Sequence, residues 1–293
     1  DEIEGRTPPP KLPVIPGHQV VGRVMADGGG VNWFVEGDRV GVAWIYSACG
    51  HCRCCRQGLE NLCGDFLATG RDRNGGYGEY MVVPETFVYA IPEKFTDHEA
   101  APLLCGGAIG YRSLKLAGIK NGEPLGLTGF GASAHQVLQL AQELYPDSEV
   151  MVFARNPVQQ ELARQLGASW AGNSDEKPPV SPKAIIDTTP AWAPVMAALE
   201  QLQPGGRLVI NAIRKEEHDK KCLLDLDYAR HLWLEKEIKS VANICRADVE
   251  EFLEIVARTE ISPTVESYDF AEANQALIDL KMGRGVGAKV LLM

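Results

Sequence analysis

The chain has 293 residues, with 29 Lys and Arg against 39 Asp and Glu, and its formal net charge is −10 at pH 7. This acidic balance argues against duplex DNA or an anionic membrane as the main partner, because both require a clustered positive surface. With 45% hydrophobic and 23% charged residues, the composition is typical of a globular chain of about two domains. The sequence shows neither a long apolar run nor a signal peptide, which predicts a cytoplasmic protein.

The first third of the chain has the pattern of a compact β domain. Short β-type runs bounded by Gly, Pro, Asp or Asn occupy this region, namely VVGRVMA, DRVGVAW, YGEYMVV and FVYAIP. The pattern then changes, because Thr96 and Glu99 have the spacing of a capping box. The segment that follows, EAAPLLCGGAIGYRSLKLAG, predicts a single helix leading out of the β region.

Apolar strands and helices alternate in the next part of the chain. The predicted strands are EPLGLTG, SEVMVFA, KAIIDTT, GRLVINA and EIKSVAN, and the predicted helices are SAHQVLQLAQEL, PVQQELARQLG and AWAPVMAALEQL. Such alternation with short connections predicts a parallel sheet wound by right-handed crossovers. The tail adds helix ADVEEFLEIVART, strand PTVESYD, helix AEANQALIDLKMG and strand GAKVLLM.

A glycine-rich turn lies between the first of these strands and the first helix. In its motif, Gly129-x-Gly131-x-x-Ala134, the first glycine permits the tight turn and the second lets the backbone approach a pyrophosphate. The small residue allows close packing of helix and strand, and the helix N-terminus attracts the phosphates. A turn without a cofactor is the alternative interpretation. The predicted binding segment comprises Gly129, Phe130, Gly131, Ala132, Ser133 and Ala134.

The end of the next strand bears on the choice of cofactor. NAD sites place an acidic residue there for the ribose 2′-hydroxyl, but this segment is VFARNP, with Arg155 and Asn156. A guanidinium group suits a 2′-phosphate, which it binds through two hydrogen bonds. NADP(H) is therefore favoured over NAD(H). The alternative is that Arg155 is a solvated loop residue.

Five of the eight cysteines fall within fifteen residues. Four of them have the regular spacing of a closed tetrahedral zinc site, which predicts a structural-zinc lobe over about residues 49–63. Cys54 interrupts that spacing and is left out, and His51 is expected to be a solvent-facing loop residue. The four predicted ligands are Cys49, Cys52, Cys55 and Cys63.

The chain resembles the zinc-dependent medium-chain alcohol dehydrogenases, within the medium-chain dehydrogenase/reductase superfamily, over essentially its whole length. The segments that carry the resemblance are PVIPGHQVVGRV, EGDRVGVAWIYSACGHCRCCRQGLENLC, NGGYGEYMVV, AAPLLCGGAIGY and the GFGASA turn. The resemblance implies an α/β fold. Residues 1–106 and 245–293 would form a GroES-like, β-rich catalytic domain, and residues 107–244 a Rossmann domain with a doubly wound parallel sheet that binds the dinucleotide.

The resemblance also implies site residues. His18 and Cys105 correspond to two protein ligands of a catalytic zinc, whose third ligand is a cysteine expected upstream of Asp1. Each chain would thus bind two Zn²⁺ ions, one catalytic and one structural. Trp44 lies where the family places an aromatic wall of the substrate pocket. The positions expected at the nicotinamide end of the cofactor are Asn211 and Ala212.

Two positions within the chain depart from the family pattern. Gln19 replaces the glutamate that usually follows the ligand histidine, so it provides no anionic alternate ligand. Ala288 stands where many relatives have an arginine that contacts the pyrophosphate. Lys289 and Arg284 are the nearby substitutes.

The predicted function is hydride transfer between a nicotinamide cofactor, with NADP(H) favoured, and a small alcohol, aldehyde or ketone. The zinc would stabilise the alkoxide or polarise the carbonyl as a Lewis acid. The resemblance implies a homodimer or homotetramer, and the acidic charge and the lack of a long apolar run predict no nucleic-acid or membrane partner. The alternatives are a zinc-free quinone or enoyl reductase of the same superfamily, a zinc-ribbon binding protein without catalysis, and an inactive homologue.

Overall fold

The structure is a computed structural model that describes residues 3–293. The strands in this range are β1 (Val20–Arg23), β2 (Arg39–Val42), β3 (Ile45–Ser47), β4 (Leu67–Ala68), β5 (Val88–Ala90), β6 (Leu125–Thr128), β7 (Val150–Phe153), β8 (Trp170–Gly172), β9 (Ala184–Asp187), β10 (Arg207–Ile210), β11 (Glu237–Ser240), β12 (Val265–Asp269) and β13 (Ala288–Leu292). The α-helices are α1 (Arg53–Arg56), α2 (Asp97–Ala100), α3 (Gly106–Ala117), α4 (Ala134–Leu144), α5 (Pro157–Gln165), α6 (Ala193–Gln201), α7 (Tyr228–His231), α8 (Arg246–Arg258) and α9 (Ala273–Lys281).

The described residues form two compact units. The first contains the residues up to Ala108 together with Ile244–Met293, and the second contains Ile109–Asn243. The first unit is therefore discontinuous in sequence. No helix among residues 3–293 combines the length and the apolar character needed to cross a membrane.

The first unit is built from small sheets. Strands β1, β2 and β5 form an antiparallel sheet in that order, β3 pairs antiparallel with β4, and β12 pairs parallel with β13. The predicted strand YGEYMVV is wrong, because residues 77–83 form no strand and Val82 is exposed. A β-type sequence needs a hydrogen-bonded neighbour to become a stable strand, and no described strand pairs with this segment.

The predicted single helix after residue 96 is interrupted. Its start is as expected, since the Thr96 amide donates to Glu99 Oε2 at 2.9 Å in a capping box that opens α2. A short 3₁₀ turn containing Pro102 follows, and at Cys105 the backbone leaves the helical region with φ −137° and ψ −63°. A proline inside an α-helix removes one amide donor and clashes with the preceding turn. The chain therefore restarts as α3 at Gly106.

The second unit is organised around one parallel sheet of six strands in the order β11-β10-β9-β6-β7-β8. When these strands are numbered from β6 along the chain and listed from β8 to β11, their order is 3-2-1-4-5-6, as in the dinucleotide-binding Rossmann fold. The predicted doubly wound sheet is confirmed. Strand β8 and helix α7, which are three and four residues long, were not predicted from the sequence.

Burial in this sheet follows strand position. Every residue of β6, β7 and β9 is buried, as expected for central parallel strands covered on both faces. All four residues of the edge strand β11 are exposed. Helix α6 covers β9 and β10 through a core that includes Ile185, Val195, Leu199 and Leu208. This core fixes the loops at the carboxyl ends of those strands.

Candidate functional site

Four cysteine sulfurs converge in the loop that carries α1. The Sγ atoms of Cys49, Cys52, Cys55 and Cys63 all lie within 4.8 Å of one another. Cys52 Sγ and Cys55 Sγ are 3.6 Å apart, and Cys49 Sγ and Cys55 Sγ are 3.9 Å apart. Four sulfurs at about 2.3 Å from one tetrahedral zinc ion would be about 3.8 Å apart. The cluster therefore fits a tetrahedral metal ion, and it is the one group of three or more His, Cys, Asp and Glu ligands found among the described residues.

Backbone amides of the same loop donate to these sulfurs. The Cys52 amide donates to Cys49 Sγ at 3.3 Å, and the Cys49 amide donates to Cys63 Sγ at 3.5 Å. Amide donation from His51 lowers the pKa of Cys49, and donation from Cys55 lowers the pKa of Cys52 to about 7. Burial raises the pKa of Cys55 to about 12. The loop thus favours thiolates at two positions before any metal binds.

The two neighbouring candidates lie outside this cluster. His51 is exposed, and its Nδ1 atom is 2.8 Å from the carbonyl oxygen of Cys49. Cys54 is half-buried and does not belong to the group of converging sulfurs.

The cysteine loop contacts the start of α8. Cys245 Sγ donates to Asn61 Oδ1 at 2.9 Å, and the Cys245 amide donates to Asp248 Oδ2 at 2.7 Å. Arg246 and Glu60 add a long ion pair at 4.0 Å. The loop is therefore fixed by a helix that follows it by more than 180 residues.

A cluster of glycines shapes the turn that carries His18. Gly17 has φ +92°, and a Cβ atom there would be 2.2 Å from Tyr77 Cδ1. The Gly75 amide donates to Ile15 O at 2.7 Å, and a Cβ atom at Gly75 would be 1.8 Å from Gly17 O. These contacts require glycine at both positions. The NGGYG segment was predicted only as part of a strand and of the family resemblance, and its contact with the His18 turn was not predicted, although its adjacent glycines were the available signal.

A hydrogen bond connects the segments of the two predicted catalytic-metal ligands. Gln19 Oε1 accepts from the Gly106 amide at 3.4 Å, so the residues that follow His18 and Cys105 are in contact. Gln19 has φ +65°, a left-handed conformation that is strained for a residue other than glycine. His18 is exposed, Cys105 is half-buried, and burial raises the pKa of Cys105 to about 12.

Two further observations describe this site. Among residues 3–293, no group of three or more His, Cys, Asp or Glu ligands includes His18 and Cys105. Trp44 follows β2 and is half-buried, with its ring centroid 5.0 Å from that of Phe66. The tryptophan is thereby held by a neighbouring aromatic ring.

The glycine turn follows β6 at the point where the strand order reverses. Gly129 has φ +80°, and a Cβ atom there would lie 2.9 Å from both Thr188 Oγ1 and Thr189 Cγ2. The Gly129 amide donates to Phe153 O at 2.8 Å, which fixes the turn against the end of β7. In contrast, Gly131 is exposed and a Cβ atom there would meet open space. The turn is thus packed at its first glycine and open at its second.

Two side chains in the first turn of α4 form hydrogen bonds with carbonyl oxygens of the glycine turn. The His135 Nδ1 atom is 3.0 Å from Gly131 O, and since a carbonyl oxygen only accepts, Nδ1 carries the proton. Gln136 Nε2 donates to Ala132 O at 2.8 Å. Burial lowers the pKa of His135. His135 is therefore a buried residue of α4. The other predicted residues here are Phe130 and Ala134, both buried, and Ser133, which is half-buried.

Arg155 and Asn156 follow β7 beside the glycine turn. Arg155 is exposed, and no ion pair within the described part of the chain includes it. Asn156 is the N-cap of α5, because its Oδ1 atom accepts from the Val158 amide at 2.9 Å. The exposed guanidinium group is thus available to a ligand, whereas the asparagine has a structural partner.

Asn211 lies at the end of β10 with an unsatisfied donor. Its side chain is buried, with 8% exposure of the residue, and its Nδ2 atom has no hydrogen-bond partner. Its backbone amide donates to Asp187 O at 2.8 Å. A buried amide donor without a partner costs stability unless a ligand or a water molecule accepts from it. Ala212 is half-buried.

The cations near the last strand are already paired. Lys289 Nζ contacts Glu266 Oε2 at 2.5 Å and Tyr268 Oη at 3.1 Å, and Arg284 contacts Asp279 Oδ1 at 3.1 Å. Lys289 and Arg284 are thus engaged by neighbouring side chains, which gives no support to a contact with the pyrophosphate.

The chain is similar to known alcohol dehydrogenases. Residues 2–93 match the family profile of the alcohol dehydrogenase GroES-like domain. The chain is 42% identical to the probable alcohol dehydrogenase AdhA of Mycobacterium tuberculosis (strain CDC 1551 / Oshkosh), over 99% of this chain and 83% of that protein. It is 32% identical to an alcohol dehydrogenase of Geobacillus stearothermophilus, over 96% of this chain and 83% of that protein.

Solved structures show the same fold. A cobalt- and zinc-bound thermostable alcohol dehydrogenase from Pyrobaculum aerophilum aligns with a TM-score of 0.87 at 26% identity, over 100% of this chain and 86% of that one. CAD from Helicobacter pylori, complexed with NADP(H), aligns with a TM-score of 0.84 at 23% identity, over 96% and 82%. The predicted combination of a GroES-like domain and a Rossmann domain is confirmed.

Proposed function

Because the chain belongs to the zinc-dependent medium-chain alcohol dehydrogenases, we propose that it interconverts small alcohols and their aldehydes or ketones by hydride transfer with a nicotinamide cofactor. The observation that carries this proposal is the glycine turn. It lies at the switch point of the sheet, with open space above Gly131 at the start of α4. Backbone amides and the positive end of a helix at such a place bind the pyrophosphate of a dinucleotide.

We assign the domains by their contents. Residues 1–106 and 245–293 carry the cysteine cluster and the His18 turn, and they form the catalytic domain. Residues 107–244 carry the glycine turn and form the dinucleotide-binding domain. Within the second, the segment from Gly129 to Ala134 binds the pyrophosphate, and Asn211 with Ala212 contacts the nicotinamide end. The unpartnered Asn211 Nδ2 atom supports this assignment, because it offers a donor to the cofactor.

Two zinc sites follow from the ligand chemistry. Cys49, Cys52, Cys55 and Cys63 hold a structural zinc, supported by their tetrahedral spacing. His18 and Cys105 contribute to a catalytic zinc, which supplies Lewis-acid polarisation of the substrate oxygen when bound.

The surrounding residues position the catalytic ligands. The hydrogen bond from Gly106 to Gln19 holds the two ligand segments together. The strained Gln19 backbone is consistent with a constrained site. Trp44 forms one wall of the substrate pocket.

Metal content tests the two-zinc assignment. Elemental analysis of the complete gene product, including any residues upstream of Asp1, should give about two zinc ions per chain. His18→Ala should lower the content by one ion and abolish activity, while Cys55→Ser should lower it by one ion through the structural site. A content of one ion that His18→Ala leaves unchanged would contradict the catalytic site.

We propose that NADP(H) is preferred over NAD(H). Arg155 supports this, because it is exposed at the end of β7, has no ion-pair partner among the described residues and lies two residues after the acceptor of the Gly129 amide. A charged hydrogen bond contributes about 1.5–3 kcal/mol, so Arg155→Ser should weaken NADPH binding roughly 10- to 150-fold. NADH binding should not change. Lys177→Ser, which removes an exposed cation of the same unit, is the control.

Fluorescence titration with NADPH and NADH measures both affinities. Equal affinities in the parent protein, or an equal loss for both cofactors in Arg155→Ser, would contradict the proposed preference.

The proposed assembly is a homodimer, alone or as half of a homotetramer. Its supporting observation is the open edge strand β11, where Ile238 is 49% exposed. Tyr228 and Trp233 are also exposed, and their ring centroids are 5.7 Å apart. Exposed strand edges with apolar side chains are normally covered in native proteins. Ile238→Lys should yield monomers in analytical ultracentrifugation, whereas Lys239→Ala should not. We also propose a cytoplasmic location, since none of the eight cysteines forms a disulfide.

A further inference from the structure

Two loops at the carboxyl edge of the six-stranded sheet are fastened to each other. The β9 loop (residues 188–192) follows β9, and the β10 loop (residues 211–219) follows β10. Asp219 Oδ2 accepts from the amides of Trp192 and Ala193 at 2.8 Å each. The Glu216 amide donates to Pro190 O at 2.7 Å. The two loops therefore form one hydrogen-bonded layer.

Lys215 makes the central attachment. Its ammonium group donates to Thr189 O at 2.7 Å and to Ala191 O at 3.0 Å, and it forms an ion pair with Asp187. The Lys215 side chain is 7% exposed and that of Asp187 is fully buried. Asp187 Oδ1 also accepts from the Thr189 hydroxyl at 2.8 Å. The three protons of the ammonium group thus have three acceptors.

A buried ion pair of this kind is a poor source of stability. The desolvation of both charges offsets most of their attraction, and an apolar pair of the same size is often as stable. The ion pair instead fixes a position, because the three acceptors of the Lys215 ammonium group can all be reached from one place only. The pair therefore holds the β10 loop at a defined place over the end of β9.

Both loops begin next to the proposed cofactor site. The β10 loop begins with Asn211, whose Nδ2 atom is buried without a partner and whose amide donates to Asp187 O. The β9 loop begins with Thr188, whose hydroxyl donates to Thr128 O at 3.0 Å, directly before Gly129. Asp187 thus contacts the β10 loop at two places. Its carbonyl oxygen accepts from Asn211 at the start of the loop, and its carboxylate pairs with Lys215 in the middle.

We propose that Lys215 is a positioning residue for the nicotinamide cofactor. By holding the β10 loop on Asp187, it presets Asn211 for the bound dinucleotide and keeps the β9 loop against the glycine turn. This inference rests on the proposed function, since it assigns Asn211 to that cofactor. Preorganisation of this kind acts on cofactor affinity, because loop ordering no longer has to accompany binding.

Four variants of the complete protein test the inference. Lys215→Met removes the charge and leaves Asp187 buried without its cation, so its fold is at risk. The double variant Lys215→Met with Asp187→Asn removes both charges and keeps the volumes. Lys215→Arg retains the charge, and Lys220→Met removes an exposed cation next to the same loop.

Three quantities should be measured for each variant: the Kd of NADPH by fluorescence, the KM for alcohol, and amide hydrogen exchange of residues 211–219. In both variants that carry Lys215→Met, the Kd should rise about tenfold and exchange should accelerate by a similar factor. The KM for alcohol should stay within about twofold, since the metal ligands are untouched. Lys215→Arg and Lys220→Met should resemble the parent protein.

The outcomes separate this inference from the proposed function. A double variant with the parent's stability, NADPH affinity and loop exchange would overturn the positioning role and leave the pair purely structural. Loop exchange as slow as the parent's in both variants that carry Lys215→Met would overturn the positioning role whether or not NADPH binds. If the parent protein binds neither NADPH nor NADH, the proposed function fails, and the cofactor role of Lys215 fails with it.

Discussion

The two glycines of the dinucleotide turn should respond differently to one added methyl group. Gly129 has a left-handed φ of +80° and two threonine atoms 2.9 Å from its Cβ position. Gly131 has neither feature, since nothing lies within 4 Å of its Cβ position. Substitution of each glycine by alanine therefore separates the packing of the turn from the space it leaves for a ligand.

The magnitudes follow from these contacts. In Gly129→Ala, the left-handed backbone costs about 1–2 kcal/mol and the overpacking against Thr188 and Thr189 adds about 1–3 kcal/mol. The free energy of unfolding should fall by roughly 2–5 kcal/mol. In Gly131→Ala, the free energy of unfolding should change by less than about 0.5 kcal/mol, as for other exposed sites. The new methyl group occupies the approach of the pyrophosphate, so NADPH affinity should fall at least about tenfold, or 1.4 kcal/mol.

The assay pairs thermal unfolding of the cofactor-free protein with NADPH titration of the same samples. Gly131→Ala should unfold at the parent's midpoint and bind NADPH weakly. A Gly131→Ala protein that binds NADPH as tightly as the parent would show that the space above residue 131 is not used by the cofactor. A Gly129→Ala protein as stable as the parent would show that the turn tolerates a Cβ atom beside Thr188 and Thr189.

Three further variants test other parts of the structure. Because the pKa of His135 is lowered, the folded protein binds fewer protons than the unfolded chain, and its free energy of unfolding should decline as the pH falls through about 6.5. His135→Gln should flatten that decline in unfolding measured against pH, and an unchanged pH dependence would contradict the role given to His135. Cys245→Ala should lower the free energy of unfolding by about 1 kcal/mol through loss of the hydrogen bond to Asn61 and should leave the zinc content unchanged. Cys222→Ala is the control, and equal stabilities of the two variants would contradict a stabilising contact between Cys245 and Asn61. Cys55→Ser should make the loop around residues 49–63 protease-sensitive, and resistance equal to the parent's would argue that the metal does not hold the loop.

Features that depend on neighbours in sequence were predictable. The four cysteines lie within one loop, so their spacing alone indicated a common metal. The central strands and long helices of the second unit followed from apolar runs and from caps such as Asn156 before Pro157. The short strand β8 has too few residues to show a pattern.

Features that depend on distant partners were not predictable from patterns. Gln19 meets Gly106 across 87 positions, and only the family resemblance suggested that their neighbours act together. The sequence around Lys215 is typical of a charged surface loop, yet the Lys215 side chain is buried and pairs with Asp187, 28 positions away. The interrupted helix at Cys105 had a local signal in Pro102, which the single-helix prediction passed over.

The contact between the cysteine loop and α8 sets an order of events during synthesis. The loop can close around a metal as soon as residue 63 leaves the ribosome, because all of its ligands lie within a short and easily closed segment. Its docking partner, Cys245, is made more than 180 residues later than Asn61. In the interval the nascent chain completes the whole of the second unit, which has all of its own strands. A metal-loaded loop therefore waits with its docking face uncovered until Cys245 and α8 have been synthesised.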